Sequence, residues 1–239
     1  MKYFSTISLL VLFSVSAAAF DHSQLDAILK KYVNSDGMVN YESLKENRKN
    51  LDSYLEKTGA VAKADFEKWT EEEQLAFLIN VYNAETLQLI IDHYPVKSIK
   101  KIGPVIGTPW DVKSVKLFGK ETTLNFVEHR IMRKDYEEPR IHFAIVCAAM
   151  GCPPLRAEAF TAEALDEQLD AQAKVFLGQT KKNRVEGKTL YLSSIFNWFG
   201  GDFKKDGKSV QDYVNPWFDE DVSKLRIRYT DYDWSLNQQ

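Results

Sequence analysis

The segment from Thr70 to Pro95 constrains this chain more than any other. Thr70 with Glu73 three residues later forms a capping box, and Glu71 and Glu72 suit the positive end of a helix dipole. From Leu75 to Tyr94 apolar side chains then fall on nearly every helical face: Leu75, Phe77, Leu78, Ile79, Val81, Tyr82, Leu87, Leu89, Ile90 and Ile91. A helix apolar all round has to be buried on most sides, so the rest of the chain must wrap it. Pro95 ends it. A length of 239 residues is enough for one such core. Within the helix, Asn80 and Asn83 share a face at i, i+3 in apolar surroundings, where amides must find partners. Two roles suit them. They either bond to the backbone of neighbouring segments and hold loops, or they orient a catalytic group and polarise a substrate carbonyl.

The chain opens with an address. Met1 to Ala19 has a positive start at Lys2, a mostly apolar Ile7 to Val15 and a small-residue cleavage site at Ala17-Ala18-Ala19. This reads as a Sec-type signal peptide, with an uncleaved anchor as the alternative. The apolar run falls short of the about 20 residues a membrane span needs. A mature chain of residues 20–239 is expected in the periplasm or secreted, with no stable membrane insertion after cleavage. Lys+Arg 31 against Asp+Glu 34 excludes a nucleic-acid binder that works through bulk charge. Hydrophobic content of 44% with 27% charged residues excludes disorder as the default state.

No repeat or linker divides the mature region, so a single domain is expected, with a helical lead over 20–65. Helices are expected over 21–33 and 43–57 before the buried one, then a hairpin over 112–124 and a short helix over 125–133. The apolar run 141–146 reads as a central strand. A helix over 161–177, a hairpin over 185–192, short helices over 193–199 and 209–218 and a last strand over 225–229 follow. This mixture without regular strand–helix alternation indicates α+β: a helix-rich domain with a small, mainly antiparallel sheet and a largely buried central helix.

Chemistry-bearing residues gather in two places. Asn125 and Glu128 have the spacing of a capping box, which explains Glu128 but not His129 beside it. Arg140, His142, Cys147, Gly151, Cys152, Pro153 and Pro154 then follow within one short stretch. Strand alternation would put His142 on the face of Arg140 and Cys147 on the opposite face, so His129 is expected to be the nearer partner of the thiol. Three readings stay open for the cysteines. They form a Cys147–Cys152 disulfide, as an oxidising compartment favours; or Cys147 is a thiolate nucleophile served by a histidine; or Cys, His and Glu hold a metal, although no H-E-x-x-H or paired C-x-x-C spacing supports that. The lysines between Lys97 and Lys120 suit a solvated face. Gly200-Gly201 lacks the flanking strand and Lys-Ser/Thr pair of a phosphate loop, and no cofactor is expected; the metal reading has the least support in spacing, and no residue is assigned as a metal ligand.

The successive motifs carry a resemblance. Phe77-Leu-Ile-Asn80-Val-Tyr82-Asn83-Ala84, Pro95-Val-Lys-Ser-Ile99, Pro109-Trp110-Asp111, Val127-Glu128-His129, Arg140-Ile-His142 through Cys147, Gly151-Cys152-Pro-Pro-Leu155, and Tyr232-Asp-Trp-Ser-Leu-Asn237 resemble, in order, those of the "domain of unknown function 547" family. The resemblance runs from about 66 to 237, and Cys-x4-Cys-Pro-Pro-Leu is its most specific piece. It implies an exported bacterial member and no established activity.

Two functions are thus expected in competition. One is a thiol-dependent hydrolase or transferase acting on a small molecule or peptide. In it Cys147 is the nucleophile, His129 or His142 the base, Glu128 its orienting group and Asn80 or Asn83 the oxyanion donor; Arg140, Cys152 and Trp110 are binding residues. The other is a non-catalytic periplasmic binding or interaction module, with the cysteines joined and the polar motifs bracing loops.

Overall fold

A computed structural model describes residues 19–104, 106–204 and 207–239. The signal-peptide segment lies outside them, apart from Ala19. The described residues form a helix-rich α+β structure around the expected helix, which spans Glu71–His93 and carries the full Thr70–Glu73 capping box. Its side chains from Leu75 to Thr86 are buried, as are Leu87, Leu89, Ile90 and Ile91. Three helices of the N-terminal lead cover it: α1 (Ser23–Tyr32), α2 (Tyr41–Glu46) and α3 (Lys49–Gly59). The sequence suggested one helix over 43–57. Instead Asn40 caps α2 through a bond from the Ser43 N–H, and Asn47 ends it before α3 begins. The central helix is α4, and α5 (Leu165–Leu177) packs against residues 141–144, just before the cysteine loop.

Two small sheets complete the structure. β1 (Val115–Leu117) and β2 (Lys120–Thr122) form an antiparallel hairpin. β3 (Arg184–Glu186) pairs antiparallel with β4 (Thr189–Ser193), which pairs in parallel with β5 (Arg226–Thr230). Among the described residues no helix is long and apolar enough to cross a membrane.

The apolar interior falls into two clusters. The larger surrounds α4. The smaller gathers Phe143, Phe176, Phe196, Phe203, Leu190, Leu192 and Val214 between α5 and the three-stranded sheet. The segment 141–152 runs along their boundary, with Phe143 in the smaller cluster and Ile141, Ala144, Ile145 and Val146 in the larger. Buried on both sides, it reads in sequence as a central strand. It is instead one helical turn, Ile141–Ala144, followed by extended chain. A short apolar run does not distinguish the two by periodicity. The backbone groups a neighbouring strand would have satisfied are met by Asn83, whose amide donates to the Ala144 carbonyl at 2.9 Å and accepts from the Val146 N–H at 3.0 Å.

Candidate functional site

Asn80 does for another loop what Asn83 does here, donating to the Phe160 carbonyl and accepting from the Phe160 N–H. Both amides are therefore committed to bracing backbone, and neither lines the cavity in which an oxyanion could form. Arg140 is also removed from the chemistry. Its guanidinium is held by Glu138, Asp166 and Asp170 beside α5. It lines a surface cleft with Glu71, Glu72 and Glu137, not the cavity described next.

That cavity, about 240 Å³, opens at the boundary of the two apolar clusters. Glu128, His129, His142, Cys147, Cys152 and Trp110 all line it, so six of the nine residues singled out in sequence converge. The helical segment that brings Glu128 and His129 to it differs from expectation. Thr123, not Asn125, caps it by accepting the Phe126 N–H, and Asn125 donates to Asp111 instead. With no capping duty, Glu128 turns inward. Val127–Met132 adopts π-helical geometry, an irregularity that recurs at functional sites because it re-aims side chains.

Glu128 is 6% exposed and accepts one hydrogen bond, from the Tyr82 hydroxyl at 3.2 Å. Burial raises its carboxyl to about 7, against the opposing pull of Tyr82 and Arg133. It therefore orients Tyr82 and not a histidine, contrary to the role sequence order suggested. The group that orients a histidine is Asp202. His142 Nε2 lies 2.7 Å from Asp202 Oδ2, and the imidazole stacks on Phe199 with centroids 4.2 Å apart. A carboxylate only accepts, so Nε2 carries the proton and Nδ1 keeps its lone pair. Arg133 clamps the same carboxylate through Nε at 2.6 Å and Nη2 at 3.0 Å. Burial pushes the Asp202 carboxyl up, but the bonds from His142 and Arg133 hold it below its usual range.

His129 has the complementary tautomer. Its Nδ1 lies 2.7 Å from Arg133 Nη1, a donor only, so Nε2 carries the hydrogen. Burial lowers both imidazoles, with Arg133 adding to the effect at each. The cavity thus offers one neutral imidazole as acceptor and one as donor, the pairing that general acid–base chemistry uses.

Cys147 and Cys152 form a disulfide, and none of the described cysteines is free. Cys147 as a standing thiolate is therefore overturned for this state of the chain, because its sulfur is already bonded. Cys152 is buried at 3% exposure, whereas Cys147 is half-buried. The Tyr232 hydroxyl sits 3.0 Å from the Cys147 sulfur and 3.1 Å from that of Cys152, and the Cys147 N–H donates to the Cys152 sulfur at 3.0 Å. Ala148 within the loop has φ of 53°, a left-handed conformation that an alanine holds only when its surroundings enforce it. Gly151 lets Tyr232 lie flat against the loop, since a Cβ there would stand 2.7 Å from the phenol ring. Gly151→Ala is expected to cost about 1–3 kcal/mol in urea unfolding, as overpacking does. A loss below about 0.5 kcal/mol would show that Tyr232 moves aside freely.

Asp202, Phe199, Trp198, Tyr82 and Tyr232 were missed as site residues. Tyr82 hides in the apolar pattern of α4. Asp202 follows Gly200-Gly201, where a Cβ on Gly200 would meet the Phe196 carbonyl at 2.9 Å, and that tight reversal places Phe199 and Asp202 together on His142. The glycine pair was the available signal. Among the described residues no group of three or more His, Cys, Asp or Glu is arranged to hold a metal ion.

An α+β frame whose two cores meet at a cavity lined by a disulfide, two imidazoles and a buried carboxyl defines the class of structure. Residues 66–177 match the family model described as "Protein of unknown function, DUF547", so the resemblance carried by the motifs is a finding over that stretch. It contains one wall of the cavity, from Tyr82 to Pro153; Trp198, Phe199, Asp202, Tyr232 and Trp234 lie beyond it. No curated protein and no solved structure matches the chain.

Proposed function

We propose that this is an exported, periplasmic thiol-dependent hydrolase or transferase whose nucleophile, Cys147, is stored in a reducible disulfide. The observation that carries the reading is the shared cavity, in which the half-buried Cys147 sulfur faces the same space as an imidazole oriented by Asp202. A periplasmic dithiol reductant attacks the more accessible Cys147 sulfur. The S–S bond breaks and the electron pair leaves on Cys152, where the Cys147 N–H and the Tyr232 hydroxyl already point at the sulfur. The reductant's second thiol resolves the mixed disulfide, which frees Cys147 and oxidises the reductant. Neutral His142 accepts the thiol proton at Nδ1, and the thiolate attacks an acyl carbon. The leaving group departs with that proton, and water or another acceptor then cleaves the thioester. His129 Nε2–H is the donor available to the developing oxyanion, the role Asn80 and Asn83 cannot take.

The alternative, a non-catalytic periplasmic binding or interaction module, is favoured by the closed disulfide itself. Thiol titration separates the two. Denatured, unreduced protein exported to the periplasm should show no free thiol, and two after reduction. Reduced protein should then hydrolyse p-nitrophenyl acetate with a burst, lost on alkylation of Cys147. Equal rates for the oxidised, reduced and alkylated forms would leave the binding module as the function.

A further inference from the structure

The ring-lined side of the cavity takes part in the thiol chemistry only through the Tyr232 hydroxyl; its ring faces are left unused. Trp234 lies 4.6 Å from Tyr232, 5.8 Å from Trp198 and 5.9 Å from Trp110, centroid to centroid, and all four rings line the cavity. Trp198 is 48% exposed, unusual for a residue that could have been packed away. Behind this wall stands Glu128, nine-tenths buried, with Tyr82 its hydrogen-bonding partner and Trp110 lining the same cavity. A buried carboxyl beside several electron-rich ring faces is the composition that recognises an ammonium group.

We infer that the cavity binds a small molecule bearing a quaternary or protonated ammonium group, with Glu128 as counter-ion and Trp110, Trp198, Tyr232 and Trp234 as its cage. One ring of the cage already accepts a cation from the chain: Lys100 Nζ stands 4.7 Å from the Trp234 ring. The cations nearest Glu128 do not take the ligand's place. Arg133 is spent on Asp202 and His129, and both imidazoles are held neutral by burial and Arg133. The remaining titratable groups facing the carboxyl, Tyr82, Tyr232 and Asp202, bring no positive charge. A ligand cation supplies it. It also draws Glu128, raised to about 7 by burial, into its ionised form, so binding releases a proton. The inference names a substrate class for the cavity and rests on its reading as a substrate site.

Binding is measured on the oxidised protein by tryptophan fluorescence, with choline and its uncharged isostere 3,3-dimethylbutan-1-ol as probes. Choline is expected to bind at least tenfold more tightly than the isostere. Its affinity should rise about tenfold from pH 6 to pH 8 as Glu128 ionises. Glu128→Gln should abolish the pH dependence and cut the preference several-fold to what the rings alone supply, and Trp234→Leu should weaken choline while leaving the pH dependence in place. Equal binding of the two probes, no binding of choline, or a preference and pH dependence undiminished in Glu128→Gln would each overturn the inference. The disulfide stays closed throughout, so failure here is distinct from failure of the thiol chemistry, which is read on the reduced protein.

Discussion

Glu128→Gln is expected to stabilise the protein by about 3 kcal/mol at pH 8 and by almost nothing at pH 4. Burial raises this carboxyl from 4.5 to about 7 in the folded chain. Between those two values the unfolded chain has lost the proton and the folded chain still holds it. The unfolded state then binds fewer protons, so Glu128's contribution to stability falls as pH rises through the window and stays low above it. Glutamine never ionises, and its carbonyl still accepts the Tyr82 hydroxyl bond. His22 and His142 act in the opposite sense, because burial lowers them and stability rises with pH as the unfolded histidines lose their protons. Glu85, also raised to about 7 by burial, acts in the same sense as Glu128. The readout is therefore the difference between variant and parent in urea unfolding, from pH 4 to 8. A constant difference, or a less stable variant at pH 8, would show that the carboxyl is better solvated than its burial indicates. A residue that lowers stability where an isosteric amide would raise it is what a binding or catalytic role leaves behind. Because the variant is expected to be the more stable protein, a loss of ammonium binding in it reports recognition and not unfolding.

How far sequence reached depended on whether the cause was local. The central helix was legible down to its cap because Thr70, Glu73 and Pro95 act within a turn of it and an all-round apolar pattern has one meaning. The hairpins were legible from their turns; Gly119 and Gly187, with φ of 71° and 59°, mark reversals in which left-handed residues are needed. The 141–146 segment was not, since its extended half is stabilised by Asn83 sixty residues earlier in the chain. The site followed the same division. Residue types and motif order gathered Glu128, His129, His142, Trp110 and both cysteines into one cavity. The wiring among them did not follow from adjacency. Glu128 beside His129 serves Tyr82, and the carboxylate that serves a histidine comes sixty residues later, from Asp202. Arg140, two residues from His142, faces away to α5 because Asp166 and Asp170 of that helix, with Glu138 beside it, hold its guanidinium.

That wiring makes Asp202 the most sensitive test of the thiol chemistry. In a Cys152→Ser background, which leaves Cys147 as the one thiol, Asp202→Ala is expected to slow its alkylation by iodoacetamide at pH 6 by about 100-fold. An imidazolium partner keeps a thiol ionised at that pH, whereas a thiol with the ordinary value of about 8.5 is almost wholly protonated. Without Asp202 the His142 ring loses its 2.7 Å anchor and the charge that supports protonation, while Arg133, no longer neutralised by that carboxylate, opposes it further. Asp202→Asn keeps an acceptor for Arg133 and His142 but not the charge, and should fall between parent and alanine variant. That separates a folding defect from loss of the electrostatic support. His142→Ala should match Asp202→Ala, whereas His129→Ala should leave the rate within a few-fold of the parent. If instead His129→Ala slows alkylation and the Asp202 variants do not, the base is His129, as sequence spacing alone favours. Asp202 would then serve only to neutralise Arg133 and hold His142 against Phe199.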